Sequence, residues 1–92
     1  MLIPSPTLDA VKENAEWKLP ALLKRERVTP YRLHQRLAEL LGTSRTTVYR
    51  WSNELPDSLD VALLMGVVKV LREETGKNIS VGDLIEYREE HK

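Results

Sequence analysis

The side chains best equipped for recognition chemistry fall in one short run, Ser44-Arg45-Thr46-Thr47-Val48-Tyr49-Arg50-Trp51. Wound into a helix at about 100° per residue, Ser44, Val48 and Trp51 share one side, with Thr47 at its edge. Arg45, Thr46, Tyr49 and Arg50 lie opposite, and no acidic residue interrupts them. An arginine can donate two hydrogen bonds to a guanine edge, and a threonine offers a hydroxyl for a base and a methyl for thymine. Tyr49 divides between reaching a phosphate or base and packing at the edge of the core. Such a face suits a nucleic-acid groove. It does not suit catalysis: Ser44 has no histidine or acid set beside it and reads as a helix cap rather than a nucleophile. His34 and His91 have no companions at ligand spacing, and the chain has no cysteine, so no metal site or cofactor is expected.

The segments around this run explain how it would be presented. Thr29 and Pro30 open a helix as N-cap and first residue, Leu33, Leu37, Leu40 and Leu41 follow its period, and Gly42 ends it. Ser44 caps the next helix after a tight turn. The small Ala38 allows close approach where Leu41, Val48 and Trp51 meet, so the pair reads as a helix-turn-helix. A helix over residues 19–27 precedes it, carrying Leu19, Leu22 and Leu23 inward. After a loop at 54–57, Ser58 is expected to cap a helix over 59–75 with two apolar stripes, Val61/Leu64/Val68/Leu71 and Leu63/Val67/Val70. Ser80 and Asp83 are spaced as a capping box, with Ile79 stapled onto Leu84, and predict a last helix running through Ile85 and Tyr87. Residues 1–16 form an arm or a short extra helix, residues 17–88 the domain, and residues 89–92 a charged tail. The expected fold class is all-α: a compact five-helix domain without strands.

Leu37-Ala38, Gly42, Ser44, Val48 and Trp51 stand at the spacing of a known group. The chain resembles the Cro/repressor-type (XRE-type) helix-turn-helix family of the lambda-repressor-like fold, from Trp17 to Tyr87. The resemblance implies a bacterial or phage transcriptional regulator binding double-stranded DNA. It implies base contacts from Arg45, Thr46 and Arg50, with Thr47 and Ser44 near bases or phosphates. It places backbone contacts at the start of the preceding helix, where Tyr31, Arg32 and His34 stand, although that helix begins a turn earlier than is usual. A homodimer on two half-sites about one helical turn apart is the expected assembly, with its surface on residues 59–71 or the last helix.

Composition agrees with a small regulator and leaves one rival. Ninety-two residues allow one core, and so short a chain buries only about 60 percent of its unfolded surface. Neither a secretory leader nor a run near the roughly 20 apolar residues of a membrane span is visible, so a cytoplasmic location is expected. The formal net charge is zero, but it is unevenly spread. Eight Lys/Arg against Glu26 and Glu39 give +6 between Lys18 and Arg50, flanked by −2 before and −4 after. A basic block favours a polyanion. The acidic ends favour the alternative, a protein-interaction module such as an antitoxin bound to its toxin, with DNA binding secondary.

Overall fold

A computed structural model describes residues 14–87. In order they form β1 (Ala15–Trp17), α1 (Leu19–Glu26), α2 (Pro30–Leu41), α3 (Arg45–Asn53), α4 (Val61–Thr75), a 3₁₀ turn (Val81–Asp83) and β2 (Ile85–Tyr87). The described part is therefore mostly helical, with four α-helices and a two-stranded sheet. This corrects the all-α, five-helix expectation. The arm or helix expected over 1–16 falls mostly outside the described residues, and its described end is strand. The tail at 89–92 lies wholly outside them.

Local chemistry accounts for the helices. Thr29 Oγ1 accepts the Arg32 N–H at 3.0 Å, and Pro30 starts α2 where an amide N–H would have no partner. Gly42 ends α2 with φ +69°, in the left-handed conformation that a side chain would oppose. Asp60, not Ser58, caps α4: its Oδ1 accepts the Leu63 N–H at 2.9 Å, so the helix starts at Val61. Four helices then bury one face each. Leu19, Leu22 and Leu23 of α1 meet Leu33 and Leu37 of α2, Val48 and Trp51 of α3, and Leu63, Val67, Val70 and Leu71 of α4. Each fully buried leucine contributes about 1.5–3 kcal/mol. Both stripes of α4 are thus largely consumed inside the chain. Gly66 lets α2 close on α4, since a Cβ there would lie 2.7 Å from Leu41 Cδ1 and 3.2 Å from Leu37 Cδ2.

The expected last helix is replaced by a turn and a strand. The Ser80–Asp83 box does form, with Asp83 Oδ2 accepting the Ser80 N–H at 2.8 Å and the Ser80 hydroxyl at 3.2 Å. Only one 3₁₀ turn follows. Ile85-Glu86-Tyr87, β-branched and aromatic around a charge, instead pairs antiparallel with Ala15-Glu16-Trp17 in the register Ala15↔Tyr87, Glu16↔Glu86, Trp17↔Ile85. The Lys18 N–H adds a bond to Leu84 O at 2.7 Å. Leu84 and Ile79 are buried all the same, both within the one core. The sheet ties the two ends of the described chain together behind α3.

Candidate nucleic-acid interface

Helix α3 is fixed at both ends and on one side, which leaves its other side presented. At its start, Ser44 Oγ accepts the Thr47 N–H at 3.3 Å, and the Ser44 hydroxyl donates to Thr47 Oγ1 at 3.0 Å. Along its inner side, Val48 and Trp51 are buried, and buried Ser52 returns its hydroxyl to Val48 O at 2.8 Å. At its end, carbonyls have no further helical turn to accept from. One is satisfied from outside: Trp17 Nε1 donates to Trp51 O at 2.6 Å. The two indoles also meet edge to face, with centroids 5.7 Å apart and planes at 81°. Strand β1 thereby clamps the last turn of α3.

On the outer side, Ser44, Arg45, Thr46 and Arg50 are exposed, while Thr47 and Tyr49 are half-buried. The Arg45 guanidinium lies 5.6 Å from the Tyr49 ring centre, one turn along the same helix, which orients it outward. Arg50 forms no ion pair with another described residue. Asn53, a residue not singled out from the sequence, extends the exposed strip and bonds back to Tyr49 O at 2.9 Å. The strip therefore runs Arg45, Thr46, Tyr49, Arg50, Asn53.

Ion pairing divides the basic block. Lys18 binds Glu86 at 3.0 Å, Arg25 binds Glu26 at 3.1 Å, Arg32 binds Glu74, and Arg36 binds Glu73 at 3.1 Å and Glu74 at 3.3 Å. Lys24, Arg27, Arg45 and Arg50 form no ion pair with another described residue. Lys24 and Arg27 border an apolar groove with Ser52 and Asn53 at the end of α3, so they continue the strip. Nothing in the spacing of Lys24 and Arg27 marked them. Both suit the carbonyl end of α1 as well as a phosphate, and the fold sets them beside α3.

The residues at the start of α2 are not gathered with these. Arg32 sits against Glu74, whereas Ser44, Thr47 and Arg50 share a groove with Ala62 and Leu63 at the other end of α4. Twelve helical residues separate those levels, or about 18 Å at 1.5 Å per residue. Tyr31 is exposed and its hydroxyl accepts Gln35 Nε2 at 3.2 Å, while His34 is half-buried. That first groove also contains Asp57 and Asp60, so it repels anions on one side of α3. Among the described residues, no cluster of His, Cys, Asp or Glu could hold a metal ion, and no helix is long and apolar enough to cross a membrane. No family model, no curated protein and no solved structure matches this chain.

Proposed function

We propose that this chain is a sequence-specific double-stranded DNA-binding regulator that reads the major groove with α3, as its resemblance to the Cro/repressor-type family implies. The observation that carries the reading is the division of α3: Val48, Trp51 and Ser52 are sealed in the core, while Arg45, Thr46 and Arg50 are exposed, Arg45 resting against the Tyr49 ring and Arg50 without an ion pair among the described residues. Arg45 and Arg50 supply bidentate donors for base edges, and Thr46 a hydroxyl and methyl. Thr47 and Ser44, tied to each other at the helix start, line the groove that also holds Asp57 and Asp60, so Thr47 serves bases rather than phosphates there. Charge decides which flank takes the DNA backbone. Asp57 and Asp60 repel phosphates from one side, and Lys24 and Arg27 attract them on the other. Arg32 contributes less than its sequence position implies, because a phosphate must compete with Glu74 for it.

The alternative, a module that binds chiefly another protein such as a toxin, rests on the apolar side chains left exposed at the end of α2 and start of α4. Selection of bound sequences from random double-stranded DNA separates the two. A regulator enriches one motif whose preferred bases change when Arg45 or Arg50 is replaced by alanine. A protein-binding module enriches no motif, and that result rejects the DNA reading.

A further inference from the structure

The DNA reading uses the two cations beside the end of α3 but leaves the surface they border unexplained. Between α1, the start of α2 and the end of α3 runs a groove of about 700 Å³. Pro20, Ala21, Leu23, Val28 and Pro30 supply its apolar walls, and the two prolines have no amide N–H to offer. Lys24 and Arg27 both border it at the end of α1, and neither forms an ion pair with another described residue. No Asp or Glu lines it, whereas the groove on the other flank of α3 holds Asp57 and Asp60. Arg27 is also held in the left-handed backbone conformation, with φ 58°, although it is not glycine. Strain of that kind gathers at ligand clamps.

A phosphodiester satisfies two cations but makes no use of apolar walls. We propose that this groove binds a small amphipathic carboxylate, an anion with a medium-length alkyl or an aryl body, and that its occupancy releases DNA. The volume lies within the roughly 300–1,000 Å³ of small-molecule sites, which pair mostly apolar walls with a few polar groups. The body of the ligand lies against Ala21, Val28 and the two prolines. Its carboxylate accepts from the Lys24 ammonium and from the Arg27 guanidinium, which can hold a carboxylate by two parallel N–H bonds. Each half of the ligand is needed. Acetate gives up the apolar contact, and an alkylammonium is repelled by both cations. Because Lys24 and Arg27 also face the DNA backbone, an occupied groove withdraws them from phosphates. This release rests on the DNA-binding reading; the site itself does not.

Isothermal titration calorimetry of the full chain without DNA, with octanoate and 2-naphthoate as probes, tests the site. At least one probe is expected to bind in the submillimolar range, with acetate and octylammonium at least tenfold weaker. Ala21→Glu and Lys24→Gln should each weaken binding at least tenfold, while Lys69→Glu, on α4, leaves it unchanged. Ala21 and Lys24 are exposed, so the helical circular dichroism and melting curve are expected to persist in both variants. Failure of both probes, equal binding of octylammonium, or an affinity that Ala21→Glu leaves intact overturns the site. If both probes fail while a random peptide library yields acidic sequences that need Lys24, the groove takes a protein segment and the proposal falls. Fluorescence anisotropy then tests the release. The bound probe at saturation should lower affinity for the selected DNA severalfold in the wild type and leave it unchanged in Ala21→Glu. Unchanged affinity in the wild type overturns the release. A chain that binds no DNA even without the probe rejects the DNA reading, and the groove then stands or falls on the calorimetry.

Discussion

At Arg27 the backbone is left-handed, with φ 58°, and the residue is not glycine. It closes α1, its N–H reaching Lys24 O at 3.3 Å and the following Val28 N–H reaching Leu23 O at 3.0 Å. A side chain held in this conformation costs about 1–2 kcal/mol, and glycine is the residue that such a cap favours. The arginine therefore carries a strain that its guanidinium, unpaired with any described acid and beside the end of α3, can justify. Arg27→Gly should raise the free energy of unfolding by roughly 0.5–1 kcal/mol and lower DNA affinity about equally for all sequences. Urea titration reads the first effect and fluorescence anisotropy the second. An affinity unchanged by the substitution would remove Arg27 from the phosphate contacts.

At the scale of elements, α3 depends on a strand that is only three residues long. Trp17→Phe keeps most of the ring packing but removes the donor to Trp51 O, leaving a buried carbonyl unsatisfied. The expected loss is about 1–3 kcal/mol of stability, with amide exchange rising first in the last turn of α3. Equal protection in the variant would show that the clamp contributes nothing. Most elements could be read from the sequence because their signals are local: Thr29 and Pro30 at a start, Gly42 at a corner, Ser44 at a cap. Two readings failed for a common reason. Ser80 and Asp83 satisfy their box in a single 3₁₀ turn, so the box does not require a helix after it. What then selects strand for Ile85–Tyr87 is a partner nearly seventy residues away, which no local pattern contains. The start of α4 is a closer contest, between Ser58 and Asp60 as caps, won by the residue adjoining Val61.

At the scale of the described chain, acids that follow Arg50 fold back onto the basic block, Glu86 on Lys18, Glu74 on Arg32 and Arg36, and Glu73 on Arg36, while Arg25 pairs with its neighbour Glu26. The fourfold pairing of Lys18, Arg25, Arg32 and Arg36 could not be seen in the charge count, and it shrinks the electrostatic footprint. If Lys24 and Arg27 carry the phosphate contacts while Arg45 and Arg50 read bases, log K should fall with log salt at a slope of about −2 per protomer, not the roughly −7 that eight phosphate-bound cations would give. Binding measured on a single half-site at several salt concentrations decides between them. The same ion pairs set a response to acid. Hydrogen bonds from Lys77, at 2.9 Å, and from Arg25 hold the Glu26 carboxyl below its ordinary value of 4.5. The Ser80 N–H and hydroxyl hold Asp83 below 3.8. A carboxyl depressed in the folded state adds stability that is complete above its ordinary value and lost as pH falls through the folded one. The melting temperature is therefore expected to drop below about pH 4.5, and Glu26→Gln should flatten part of that drop. An identical acid profile in the variant would assign the loss to other groups.

The most direct measurement compares the affinity of the wild-type chain and of Arg50→Ala for the selected site and for a scrambled one. An outward, uncommitted Arg50 that reads a base should cost about 1–3 kcal/mol on the selected site when removed, with little change on the scrambled DNA, so that the specificity ratio collapses. Equal affinities for both DNAs in the wild type, or a loss of the same size on each, would contradict a sequence-reading role for α3.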